Sequence, residues 1–141
     1  MSDRRQWFIP VQSYGAIEFI SGQVPHQQGQ LLAQGRLGED VSLEQGRECA
    51  RQCAQNLLDA IVEAHGSLDA VAQVLKLTVF IASASTFTEQ PDVANAASRL
   101  FVDALGPRGE HARSAIGVAA LPLGAPVEVE AIVALRQESA G

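Results

Sequence analysis

The stretch Arg113 to Leu135, RSAIGVAALPLGAPVEVEAIVAL, decides the fold class. It reads as two strands, Arg113 to Ala119 and Val127 to Leu135, flanking the turn Leu121-Pro122-Leu123-Gly124-Ala125-Pro126. The last strand, VEVEAIVAL, alternates at its start and then turns apolar throughout. Helices of a small two-layer protein cover one face of a sheet. A strand apolar on both sides therefore predicts a second buried face, supplied by other subunits.

Upstream, Val93, Ala97, Leu100, Phe101 and Ala104 recur at helical spacing. They predict a helix from Glu89 to Leu105, capped by Thr86 or Thr88 and stopped at Gly106-Pro107. Val74 to Ile81, within QVLKLTVFI (residues 73–81), is rich in β-branched residues and reads as a strand. A longer helix is marked by Ala50, Cys53, Ala54, Leu57, Leu58, Ile61 and Ala64. Ser42 and Gln45 form a capping-box pair at its start, and His65-Gly66 ends it. Near the start of the chain, Phe8 to Gln12 and Ala16 to Ser21 predict two strands around the turn Ser13-Tyr14-Gly15. Ser21-Gly22-Gln23-Val24-Pro25 should end the second of them, and Leu31 to Gly35 is a candidate third. The order ββ(β)–α–β–α–ββ is that of an α+β fold, a mixed sheet with two helices of about 23 and 17 residues on one face. No composition break, linker or repeat divides residues 1–141, which predicts one domain.

The chain has 141 residues, net charge −6, and 47% hydrophobic residues. No run of residues approaches the roughly 20 apolar positions of a membrane span. After Arg4-Arg5, the residues Pro10, Gln12, Ser13 and Glu18 interrupt any signal-peptide core. With two cysteines and no export signal, a reducing cytoplasm is the expected compartment. Sixteen acids face ten bases, of which Lys76 is the single lysine. The densest basic clusters, Arg4-Arg5 and Arg47 with Arg51, make no phosphate-neutralising stripe, so a nucleic-acid partner is disfavoured.

Arg113 opens an apolar strand directly after a loop, where its side chain could reach a cleft or pair with a surface acid. Glu128 and Glu130 lie two apart on a strand and share a face; if both were buried, each would raise the other's pKa. Cys49 and Cys53 are spaced one helical turn apart. They read as core packing, because a tetrahedral metal site needs about four ligands and no second pair completes one. His65 suits the helix C-terminus and its dipole. His26 has no companion motif, and His111 lies two residues before Arg113. No basic residues interleave with Trp7 and Phe8, which therefore read as edge packing.

Four segments, in order, resemble the Rid family, also called the YjgF or L-PSP family: ISGQVP (20–25), NLLDAI (56–61) followed by Gly66, LTVFI (77–81), and RSAI…LP…VEVEA within 113–131. The resemblance covers Phe8 to Leu135 and is nearest to a less-studied branch rather than the archetypal deaminases. It implies a chorismate-mutase-like fold, assembled as a homotrimer whose sheets form a central barrel with ligand pockets between subunits. It also implies hydrolysis of reactive 2-imino acids or enamines to 2-oxo acids and ammonia, without metal or organic cofactor. Arg113 matches the family's carboxylate-binding arginine and Glu128 its water-orienting glutamate. Ser21 and Gly22 match pocket-lining positions, and Asn95 aligns, one residue displaced, with a pocket asparagine. Ala115 stands where archetypal members have a cysteine, and Phe8 where they have a tyrosine. These two departures keep a non-catalytic, metabolite-binding trimer open as an alternative. The family's older label, endoribonuclease or translation inhibitor, is a third reading that the acidic balance opposes.

Overall fold

Alternation along two neighbouring strands organises the sheet. In the computed structural model, which describes residues 7–137, the elements are β1 (Val11–Tyr14), β2 (Ile17–Gln23), β3 (His26–Gln27), β4 (Gln30–Leu31), α1 (Leu43–His65), β5 (Val71–Ala82), α2 (Gln90–Leu105), β6 (Ala112–Val118) and β7 (Val127–Leu135). Arg4-Arg5 lies outside the described residues. Five strands pair in the order β1-β2-β7-β5-β6. β5 and β6, joined through α2, are parallel, and the other neighbours are antiparallel. The sheet is mixed, as expected.

Leu77, Val79 and Ile81 of β5 align with Ala131, Val129 and Val127 of β7. All six are buried beneath the two helices, together with Leu57, Ile61 and Phe101. Full burial of such a side chain is worth about 1.5–3 kcal/mol. The alternate positions (Phe80 with Ile116, and Phe19 with Ile132) lie on the opposite face, which no described helix covers. There Tyr14 is 90% and Phe19 52% exposed, and Ile17 and Ile116 are exposed as well.

α1 follows the sequence reading. The Ser42 hydroxyl accepts from the Gln45 backbone N–H at 3.1 Å, and the Gln45 side chain accepts from the Ser42 N–H at 2.9 Å. Gly66 ends the helix at φ 85°, a left-handed conformation that glycine adopts without penalty. His65, in the last turn, also reaches both Glu18 carboxylate oxygens, at 2.9 and 3.0 Å, from the other side of the core. Glu18 is only 2% exposed, so this contact offsets the cost of burying a carboxylate within the helix-covered face. Cys49 and Cys53 are free and lie in the core. Burial pushes the Cys49 thiol up to about 11 and raises Cys53 well above its ordinary value.

Several expected boundaries are corrected. The hairpin turn is Gly15-Ala16, with Tyr14 opposite Ile17, so β1 begins at Val11 and leaves Phe8 outside it. Gly15 takes φ 63°, which locates the turn one residue later than Ser13-Tyr14-Gly15. β2 does not end at Ser21; a register shift between Ile20 and Gln23 carries it through Gly22 before Pro25. The expected strand Leu31 to Gly35 is reduced to the small β3–β4 ribbon. Neither Thr86 nor Thr88 caps α2. Glu89 occupies that position without a side-chain cap, and Pro91 in the first turn has no N–H to satisfy.

Candidate functional site

The sequence-predicted residues gather into two groups, on opposite faces of the sheet. The first forms where β6, an edge strand, meets α2. Arg113 aligns with Leu77 and so points to the helix-covered side. Its Nη1 donates to Asn95 Oδ1 at 2.8 Å and to Ser98 Oγ at 3.2 Å. Asn95 and Ser98 are three residues apart, one turn of α2, which presents both oxygens to one guanidinium nitrogen. These contacts use both Nη1 protons. The Nε–H and Nη2–H edge keeps no partner among the described residues, and that edge is the fork that matches a carboxylate.

Behind Ser98 stands His111, whose Nε2 is 2.8 Å from Ser98 Oγ and whose Nδ1 is 2.6 Å from the Gly109 carbonyl oxygen. The imidazole also meets the Phe101 ring in an edge-on contact at 6.2 Å. Arg113, Ser98, His111, Val102 and Glu110 line an open cleft of about 400 Å³. Ala115 lies on the same face of β6 as Arg113, and its methyl packs against the core.

The second group lies around β2 and β7. Glu128 aligns with Phe80, which in turn aligns with Ile116, all on the open face. Gly22 allows it close: a Cβ at Gly22 would stand 3.1 Å from Glu128 Cδ and Oε2. Burial raises the Glu128 carboxyl above its ordinary pKa, and the neighbouring Glu130 raises it further. The Ser21 hydroxyl donates to the Ile9 carbonyl at 2.7 Å, which ties the segment before β1 to the end of β2. Phe8, one residue upstream, is 62% exposed.

One chain does not bring Arg113 and Glu128 together. They project from opposite faces, on strands separated by β5, a spacing of about 10 Å across the sheet. Each chain therefore presents a guanidinium edge on one face and a carboxyl of raised pKa on the other. Sequence reasoning missed Ser98 and left His111 without a role. The signals were present: Ser98 follows Asn95 by three residues on a helix, and His111 precedes Arg113 by two on an extended segment.

Arg36, Arg47 and Arg99 pair with acids, while Arg108 and Arg136 donate to backbone carbonyls. Arg47 forms a fork on Asp92, with Nη2–O distances of 2.8 and 2.9 Å, and also reaches Glu44. Arg99 pairs with Asp103. No His, Cys, Asp or Glu cluster able to hold a metal occurs among the described residues. No described helix is long and apolar enough to cross a membrane.

The family model described as endoribonuclease L-PSP matches residues 7–135. Trypanosoma cruzi protein TCP17 is 44% identical over 118 residues, spanning 83% of this chain and 74% of that protein. The crystal structure of Agrobacterium tumefaciens Atu1372 superposes with a TM-score of 0.89 at 39% identity, covering 91% of this chain and 82% of that one. The structure of Escherichia coli TdcF with bound serine matches at a TM-score of 0.64 and 28% identity, covering 94% and 91%.

Proposed function

This chain belongs to the endoribonuclease L-PSP family, and from that premise we propose that it binds small 2-imino and 2-oxo acids between subunits of a homotrimer and hydrolyses the imines. One observation carries the reading: Nη1 of Arg113 is held by Asn95 and Ser98, while the Nε–Nη2 edge is left to receive a carboxylate. A second observation supports the assembly. The open sheet face exposes Tyr14, Ile17, Phe19 and Ile116, and Glu128 lies on it, away from Arg113 of the same chain. Packing that face against a neighbouring copy lets Glu128 of one chain complete the site at Arg113 of another. The serine bound to TdcF, a small amino acid with its own carboxylate, fits this class of ligand.

In this mechanism Arg113 fixes the substrate carboxylate through two parallel, charge-assisted hydrogen bonds. A water adds to the imine carbon while its proton passes to Glu128 and the imine nitrogen gains one, giving a carbinolamine. The carbinolamine hydroxyl then passes its proton through Glu128 to the nitrogen, the C–N bond breaks with its electron pair going to the departing ammonia, and the C=O of the 2-oxo acid forms. A carboxyl with a raised pKa suits both proton transfers, because its proton affinity lies nearer neutrality. Gly22 keeps space beside Glu128. The buried free thiols fit a reducing compartment such as the cytoplasm.

The test generates 2-iminopropanoate in situ with an amino acid oxidase and follows ammonia release. Acceleration by the wild type that disappears in Arg113→Ala supports hydrolysis. Saturable pyruvate binding without acceleration favours the non-catalytic binder, a reading that Phe8 and Ala115 support because neither offers a side-chain polar group to the site. Pyruvate affinity unchanged by Arg113→Ala would sink both. Pairing of Arg47 and Arg99 with acids weakens the case for an RNA-binding track among the described residues.

A further inference from the structure

We infer that Ser98 and His111 are positioning residues that hold the Arg113 guanidinium so that its Nε–Nη2 edge faces the ligand; the inference rests on the carboxylate reading above and assigns these two side chains their part in it. Hydrogen-bond direction fixes the order of the links. The Gly109 carbonyl oxygen can only accept, so the 2.6 Å contact requires a proton on His111 Nδ1. In the neutral imidazole Nε2 is then a lone-pair acceptor, and the 2.8 Å contact requires Ser98 to donate its hydroxyl proton there. With that proton committed, Ser98 Oγ presents lone pairs to Arg113, which donates from Nη1 at 3.2 Å. The result is a one-way chain from Arg113 through Ser98 and His111 to Gly109.

Each link removes a rotational freedom. Without His111 the serine proton is free to turn toward Arg113, where it repels the guanidinium hydrogens. Without Ser98 only Asn95 holds Nη1, and the guanidinium can swing about that single contact. The packing of the imidazole edge against Phe101, itself fully buried, anchors the far end of the chain to the core. Neither Ser98 nor His111 needs to touch the ligand.

Two measurements on the whole 141-residue chain test this. Pyruvate affinity by calorimetry should weaken about three- to tenfold in Ser98→Ala and in His111→Leu, the scale of one net hydrogen bond. Ser98→Thr, which keeps the hydroxyl, and His111→Gln, which keeps an acceptor near the Nε2 position, should restore most of the affinity. Nitrogen-15 spectra of the ligand-free protein should show the Nδ1–H tautomer of His111, with an Nε2 resonance that shifts in Ser98→Ala. A purely structural role would lower thermal stability without this pattern of rescue or the tautomer signature. Wild-type binding of pyruvate together with an Nε2–H tautomer, or with affinity unchanged in Ser98→Ala, would overturn the brace and leave the carboxylate site standing. Absence of pyruvate binding in the wild type would overturn the carboxylate reading and the brace with it.

Discussion

The two faces of the sheet are built from similar residues and meet different fates. On one, Val127, Val129, Ala131 and Val133 of β7 disappear beneath α1 and α2. On the other, Phe19, Ile17, Ile116 and Tyr14 remain accessible, with Gln12, Thr78 and Ser114 among them. The covered face even tolerates an acid, Glu18, because His65 arrives from the helix to meet it. The uncovered face holds its acids, Glu128 opposite Phe80 and Glu130 opposite Thr78, with no ion-pair partner among the described residues. Apolar character states that a surface will be buried; it does not state by what. Here one face is closed by the chain itself, and the other fits closure by copies of it.

Substitutions can break or sharpen that contrast. Phe101→Ala removes a fully buried ring beneath the helices and should cost about 3–5 kcal/mol in urea unfolding. His65→Ala leaves the Glu18 carboxylate buried without its imidazole, for an expected loss of about 1–3 kcal/mol in the same measurement. Phe19→Asp, on the open face, should change the unfolding free energy of the isolated chain by no more than about 0.5 kcal/mol. It should nevertheless convert the assembly to monomers in sedimentation, and a wild type that already sediments as a monomer at micromolar concentration would contradict the contrast. Glu128→Gln should have the smallest effect, and a pH-dependent one. A carboxyl whose pKa is raised by folding favours the folded state while protonated, and that contribution is lost as pH rises through the folded value. The glutamine variant should therefore melt slightly higher than wild type at neutral pH and match it below about pH 4. In the proposed hydrolysis the same variant should lose activity, so the group that weakens the fold is the one the chemistry uses.

Much of this was legible in the order of residues. The α1 boundaries followed from Ser42, Gln45 and Gly66 because caps act locally, within a turn of the backbone groups they satisfy. The doubly apolar β7 pointed to a second buried face, whereas its central place in the sheet depends on pairing that no single strand reveals. The first hairpin was displaced because a single glycine, Gly15, sets the turn by a backbone angle rather than by hydrophobic pattern. The resemblance pointed to Arg113 and separately to Asn95 but not to Ser98, because a serine in a helix has no signature until its neighbour across the sheet edge is known. The separation of Arg113 from Glu128 was equally hidden: strand parity assigns each residue a face, but which faces coincide depends on how β6 pairs with β5 and β5 with β7.

The strand order has a consequence for how the molecule comes into being. β7 lies between β2 and β5 although it follows both in the chain. Until residues 127–135 leave the ribosome, β2 and β5 each present an unpaired edge, and the helices have only part of a sheet to pack on. The barrier to folding is then weighted by long loop closures rather than by local contacts. During that interval the chain resembles a sheet with its keystone missing, and open strand edges are the surfaces on which chaperones and aggregation compete.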